Sequence, residues 1–139
     1  MKETIVHSAG MLVALMVAHV IGDWMFQSYK VATTKTSNAG VRAWHCLLYS
    51  VPVGALVFLV MPPVQGAIAM AWVYLTHFVI DTYMPLYYFR KAMGDPAAES
   101  VESYKKAFET PHGFYIGVTL DQIFHFLTLV PVAVWMALT

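Results

Sequence analysis

The chain has 139 residues, of which 59% are apolar and 12% are charged, and its eight basic and eight acidic side chains give a formal net charge of zero. A soluble domain carries about twice that charged fraction, and binding to nucleic acid needs a basic face, so the composition argues against both. The lone cysteine, Cys46, excludes an internal disulfide framework. We therefore expect a small integral membrane protein with a single membrane domain over 1–139.

Four apolar stretches are long enough to cross a membrane as helices. About 20 apolar residues span the hydrocarbon core. The stretches predict transmembrane helices at approximately 5–26, 42–61, 65–84 and 115–137. The predicted fold class is all-α, an integral membrane four-helix bundle.

The basic residues divide unequally between the two sides of the predicted bundle. Seven of the eight lie on the side shared by the first and third connections, and only Lys2 lies opposite. By the positive-inside bias that side is cytoplasmic. This predicts a multi-pass protein of the bacterial inner membrane with both termini periplasmic.

The third connection, 87–114, is long enough to contain a helix of its own. Asp95 followed by Pro96 is typical of a cap and a first helical position, and apolar residues recur after them at helical spacing. We predict a short amphipathic helix at the cytoplasmic surface between helices three and four. A solvated linker is the alternative.

Ionisable residues inside the predicted spans follow a regular pattern. Three helices each carry a histidine and an aspartate four residues apart, and the second helix carries one histidine. The candidate metal ligands are His19, Asp23, His45, His77, Asp81, Asp121 and His125. Side chains at i and i+4 share a helix face, and the alternating direction of the helices brings all seven to the cytoplasmic side of the bundle.

The three aspartates pose a problem of buried charge. Each carboxylate costs about 2.5–3.5 kcal/mol inside a bilayer, and the sequence places no lysine or arginine inside a span to pair with them. Histidine and aspartate are ligands of zinc, manganese and iron. We therefore predict one or two divalent metal ions near the cytoplasmic face, with zinc favoured. Proton uptake, a proton relay and polar helix packing are the alternatives.

Further polar residues are candidates for supporting roles. Gln27, Tyr49 and Gln122 lie one helical turn from, or next to, candidate ligands and are predicted to fix the imidazole rings by hydrogen bonds. Ordinary interhelical hydrogen bonding is the alternative. Lys35 and Arg42 are candidates to hold a substrate phosphate, although both also fit as determinants of membrane orientation.

Four short blocks carry a resemblance to a known family. They are AHVIGDW at 18–24 with Gln27 and Lys35, HCLLY at 45–49, THFVID at 76–81 and DQIFH at 121–125. In content and order they resemble the small bacterial and phage membrane proteins of the domain-of-unknown-function 3307 family. The resemblance implies a helical membrane protein and no established activity. More loosely, the chain is similar to membrane-bound metal-dependent hydrolases.

Two classes of function follow from these residues. One is a membrane-embedded metal-dependent hydrolase of a phosphoester or lipid-linked substrate at the cytoplasmic leaflet, with Asp23, Asp81 or Asp121 as a catalytic general base. The other is a non-enzymatic membrane protein, either a metal or proton transporter that works as a homo-oligomer or a phage-encoded regulator of a host membrane protein. The sequence alone does not establish that the protein is an enzyme.

Overall fold

The computed structural model describes residues 2–139, which are mostly helical and contain no β-strand in that range. Four long helices form the bundle: α1 (Lys2–Val20), α3 (Ala39–Val60), α4 (Pro63–Ile80) and α7 (Pro111–Leu138). Shorter helices lie in the connections: α2 (Tyr29–Thr34), α5 (Met84–Ala92) and α6 (Val101–Ala107). A π-helical turn, Ile21–Met25, continues α1, and a 3-10 turn forms at Pro96–Ala98.

The four long helices have the length and composition of membrane spans. The segments that qualify are Lys2–Met25, Ala39–Val60, Pro63–Ile80 and Pro111–Leu138. Their outward faces expose large apolar side chains such as Val13, Leu59 and Leu127, as expected of a surface that lipid covers. The predicted all-α bundle with four membrane-type helices is confirmed.

Each long helix packs against two others. α1 contacts α3 and α7, and α4 contacts the same two helices, so the four enclose a common core. One apolar cluster, which includes Val53, Val73 and Leu129, fills most of the bundle. A smaller cluster around Ile80 and Leu86 lies at the end where α5 and α6 pack. Along α4 and α7, the ionisable residues lie between the two clusters.

The end of α4 differs from the predicted span 65–84. The helix stops at Ile80 with Asp81 as its C-cap residue, and Tyr83 has a φ of 60°, in the left-handed region that non-glycine residues rarely adopt. α5 then begins at Met84 with proline in its first turn. The chain therefore leaves the bundle immediately after Asp81.

The predicted amphipathic helix within 87–114 forms only in part. Asp95 accepts a hydrogen bond from the Ala97 N–H, as predicted for a cap, but it caps only the 3-10 turn Pro96–Ala98. α6 begins later, after Ser100, which accepts a hydrogen bond from the Ser103 N–H. The last six residues of α5 (Met84–Ala92), a helix that the sequence did not predict, also lie in this segment.

A glycine allows a close approach between α1 and α3. Gly22 lies in the π-helical turn, and a Cβ atom there would be 2.8 Å from the Tyr49 carbonyl oxygen and 3.1 Å from Pro52 Cγ. Because the nearest atom belongs to backbone, a side chain could fit only if one helix shifted. The same turn carries Asp23, and π-helical turns occur frequently at functional sites.

We expect Gly22→Ala to destabilise the fold by about 1–3 kcal/mol, the usual cost of overpacking. Gly10→Ala is the matched control, because nothing lies within 4 Å of a Cβ at Gly10 and alanine is the better helix former. Thermal unfolding in detergent, followed by circular dichroism, measures both variants. An unchanged unfolding midpoint for Gly22→Ala would show that the helices do not need this close contact.

Candidate metal centre

The structure brings all seven candidate ligands together at one end of the bundle. Each of them is buried: His19, Asp23, His45, His77, Asp81, Asp121 and His125. The ring of His77 lies at the centre of the histidines, with ring centroids 4.3 Å from His125, 5.1 Å from His45 and 6.0 Å from His19. Four helices therefore contribute to one compact polar cluster.

Four atoms of the cluster are spaced like the ligands of a single ion. His45 Nε2 lies 2.9 Å from Asp23 Oδ1 and 3.1 Å from His77 Nε2, and His77 Nε2 lies 3.7 Å from Asp23 Oδ1. Asp81 Oδ2 lies 3.5 Å from His45 Nε2 and 3.4 Å from His77 Nε2. Ligands of a small tetrahedral ion are about 3.3 Å apart. Five of the six distances among these four atoms, named here the cage, are thus close to that spacing, and Asp23, His45 and His77 together form a group spaced for one ion.

A second group adjoins the cage and shares Asp81. It consists of Asp81, Asp121 and His125, with His125 Nε2 lying 3.9 Å from Asp81 Oδ1. His125 Nδ1 lies 2.8 Å from the Asp121 backbone carbonyl, a hydrogen bond that orients the ring. Nε2 has no hydrogen-bond partner in residues 2–139 and is available as a ligand. The cluster therefore has the residues for one ion or for two.

Lys35 corrects the expectation that the carboxylates lack a basic partner. Its ammonium lies 2.9 Å from Asp81 Oδ1, 3.3 Å from Asp23 Oδ1 and 3.1 Å from His45 Nε2. Burial by itself lowers the pKa of Lys35, but the Asp23 and Asp81 carboxylates outweigh that effect, and the pKa is raised above its ordinary value. The expectation was wrong because Lys35 lies outside the spans, in the first connection, and its long side chain extends into the cluster.

Arg42 fixes the backbone that carries Lys35. Its Nη1 donates hydrogen bonds to the carbonyls of Lys35, at 2.8 Å, and Thr36, at 3.1 Å. The guanidinium also lies 4.5 Å from the centroid of the Phe78 ring, a cation–π contact. Both residues were predicted to bind substrate. That role stays a prediction, and the contacts seen here are with the protein itself.

Gln122 connects three of the candidate ligands. Its Nε2 donates hydrogen bonds to Asp23 Oδ2, at 3.0 Å, and Asp121 Oδ2, at 3.2 Å. Its Oε1 lies 3.0 Å from His19 Nε2. The predicted supporting contact of Gln122 is therefore present. Since His19 Nε2 faces this amide oxygen, that nitrogen is committed to a protein partner.

The other two predicted supporting residues behave differently. Tyr49 Oη lies 3.2 Å from His19 Nδ1, and the Tyr49 ring stacks on His77 with centroids 3.9 Å apart. Gln27 forms no side-chain hydrogen bond to a candidate ligand within residues 2–139, and its buried Oε1 has no partner there. His19 thus has a protein partner at both ring nitrogens, and it belongs to none of the three-residue groups spaced for an ion in that range.

Sequence reasoning missed Cys46. This buried residue forms a third group of metal-ligand spacing with His77 and Asp81. Its only sequence signal is its position directly after His45. Neighbouring helical residues point in different directions, so only the packing of α3 against α4 reveals the contact.

Comparison with known proteins identifies a family but no activity. A family model described as a protein of unknown function, DUF3307, matches residues 11–139, a range that contains every candidate ligand. The match confirms the resemblance carried by the four sequence blocks. No curated protein and no solved structure matches significantly.

We expect Lys35→Met to destabilise the metal-free protein by about 3–5 kcal/mol, because it leaves Asp23 and Asp81 buried without a cation. Adding Asp81→Asn to that variant should restore part of the loss, since it removes one of the unpaired charges. Lys30→Met is the control, because Lys30 is exposed on α2. Thermal unfolding in detergent with a chelator measures all three, and a stable Lys35→Met protein would contradict the role of the ion pair.

Proposed function

The chain belongs to the DUF3307 family, and we propose that it is a membrane-embedded, divalent-metal-dependent hydrolase. The observation that carries the proposal is the cage of Asp23 Oδ1, His45 Nε2, His77 Nε2 and Asp81 Oδ2. Five distances between these atoms, from 2.9 to 3.7 Å, bracket the ligand spacing of a tetrahedral ion. Buried nitrogen and oxygen ligands of this kind suit zinc, manganese or iron.

The charge of the cluster also favours a divalent ion. The carboxylates of Asp23, Asp81 and Asp121 face the single ammonium of Lys35. With the acids ionised and the imidazoles neutral, the formal charge of this set is −2. One divalent cation would neutralise it. Protonation of Asp121 would also remove part of this negative charge. Metal analysis distinguishes protonation from the binding of an ion.

The residues around the cage fit the chemistry of hydrolysis. A divalent ion supplies Lewis-acid activation of the substrate and a water nucleophile at neutral pH. Asp121 Oδ1 accepts no hydrogen bond within residues 2–139, while Gln122 holds the other oxygen. Asp121 is therefore the candidate general base. Asp23 and Asp81, which the sequence analysis also considered for that role, are assigned here as ligands.

The distribution of charge supports the proposed location and substrate. Lys35 and Arg42 lie at the same end of the bundle as the cage, and the basic residues of α5 and α6 lie in the connection at that end. The positive-inside bias places such an end at the cytoplasmic leaflet of a bacterial inner membrane, with both termini periplasmic. Basic side chains beside an apolar bundle suit a phosphoester or lipid-linked substrate.

The contacts of Lys35 favour a second, non-enzymatic function. Because the ammonium already pairs with Asp23 and Asp81, the cluster has a counter-charge without a metal. The Lys35 ammonium and His77 Nε2 each lie 3.1 Å from the same atom, His45 Nε2, so a proton could pass between the three groups by way of that nitrogen, as in a proton relay. Under this alternative the protein transports protons or metal as a homo-oligomer, or binds a host membrane protein as a phage-encoded regulator.

Metal analysis tests the cage directly. Purified protein incubated with Zn²⁺, Mn²⁺ or Fe²⁺ should retain at least one ion per chain by elemental analysis. His77→Ala and Asp81→Asn should weaken binding by about tenfold or more, since loss of an outer-shell partner alone costs that much. His7→Ala and His112→Ala are matched controls with exposed histidines. A folded, monodisperse wild type that retains no ion would contradict the proposal.

Turnover distinguishes a hydrolase from the alternatives. Metal-loaded protein in proteoliposomes should release product from a lipid phosphoester, and chelation should stop the release. Asp121→Asn should keep the ion in the cage yet lower the rate by about 100-fold or more, the contribution typical of a general base. Glu109→Gln, at an exposed acid, is the control. Proton or metal flux that Asp81→Asn abolishes, with no turnover, would instead support transport.

A further inference from the structure

A cavity of about 520 Å³ lies beside the candidate metal centre. Its wall includes Thr36 and Thr82, which directly follow Lys35 and Asp81 in the chain. The connection from α2 to α3 forms one side, and α5 and α6 form the other. A molecule in this cavity would therefore lie against the backbone that carries both charged groups.

Two polar side chains of the cavity wall are buried, and each has a donor atom that meets no hydrogen-bond criterion within residues 2–139. Arg42 is 8% exposed and Tyr104 is 2% exposed, yet neither Arg42 Nε nor Tyr104 Oη forms a hydrogen bond within residues 2–139. The Arg90 guanidinium lies 5.6 Å from the centroid of the Tyr104 ring, where it opposes the rise in the pKa of the hydroxyl that burial causes. A buried polar group without a partner costs about 1–3 kcal/mol. Both residues line the cavity, and a ligand that reached these donors would give them a partner.

The composition of the wall indicates the charge and shape of that ligand. Lys105 joins Arg42 as a second cation, and the lining residues include no acid. The rest of the wall includes aromatic and apolar side chains such as Tyr83 and Phe108, whose rings stack 5.1 Å apart. Arginine with a neighbouring hydroxyl donor suits the oxygens of a phosphate. The apolar surface suits a hydrocarbon chain.

We propose that this cavity binds the phosphate group of an amphiphilic phosphoester, with Arg42 and Tyr104 as hydrogen-bond donors and Lys105 as a second cation. If the bound phosphoester is the substrate of the metal centre, this inference rests on the proposed function. Arg42 then has two roles. Its Nη1 donates a hydrogen bond to the Lys35 carbonyl, and its Nε donates one to the ligand. The phosphate can come from a lipid headgroup or from a soluble anion, and the probes below distinguish them.

Binding to the full-length protein in detergent tests the cavity. Dioleoyl phosphatidic acid should bind saturably in native mass spectrometry, and dioleoyl phosphatidylcholine should bind much more weakly. Tyr104→Phe, which removes only the hydroxyl, should weaken phosphatidic acid binding about tenfold, as expected for a hydrogen bond to a charged group. Lys105→Gln should weaken it several-fold, and Lys106→Gln, a neighbour that does not line the cavity, should not change it.

Inorganic phosphate is the second probe. Competition with phosphatidic acid at similar concentrations would support the phosphate site and identify a soluble source, whereas competition only at far higher concentrations would support a lipid source. Equal binding of both lipids, or binding insensitive to Tyr104→Phe and Lys105→Gln, would overturn the inference. Arg42→Gln is a poorer test, because it also removes the contacts that hold Lys35.

Metal content measured in the same preparations separates this inference from the proposed function. Metal-loaded protein that does not bind phosphatidic acid would contradict the cavity assignment and leave the metal centre intact. Protein that takes up no metal but binds phosphatidic acid through Tyr104 would contradict the hydrolase and support the cavity. Unchanged metal content in Tyr104→Phe with weakened lipid binding would support both.

Discussion

Three carboxylates lie buried at one end of an apolar helical bundle, and the surrounding structure compensates for their charge. Inside a bilayer each would cost about 2.5–3.5 kcal/mol without a partner. Within residues 2–139, Lys35 supplies the one direct lysine or arginine cation. Arg42 holds the backbone from which it extends, and Gln122 bonds two of the three acids. The short helix α2 and the tight first connection therefore belong to the site as much as the spans do.

Helix termini increase the demand for a cation. Asp81 caps the C-terminal end of α4, and Asp23 lies in the turn that ends α1. The macrodipole makes a helix C-terminus partially negative, so two helices add negative potential where their carboxylates already lie. A cation is favoured at this point for the same reason that a histidine, lysine or arginine is favoured in the last turn of a helix. Lys35 supplies such a cation, and a divalent ion would supply another.

The cluster of seven residues is predictable from the sequence, but its counter-charge is not. Alternating helix direction, together with the i and i+4 spacing, was enough to place the seven residues on one side of the bundle, because both follow from helix geometry alone. The contact of Lys35 depends on the path of a connection, which no helical periodicity describes. The early end of α4 depends on the left-handed conformation of Tyr83, for which the local sequence carries no glycine signal. Cys46 enters the site only through the packing of α3 against α4.

The ammonium of Lys35 and an ion in the cage would compete for Asp23 and His45, but both could bind Asp81. Lys35 contacts Asp23 Oδ1 and His45 Nε2, both of which belong to the cage, so an ion there would displace it from them. Its contact with Asp81 uses Oδ1, whereas the cage uses Oδ2. An ion and the ammonium can therefore bind opposite oxygens of Asp81. Since Thr36, the next residue, lines the cavity of about 520 Å³, a displaced ammonium would remain close to an anion bound there.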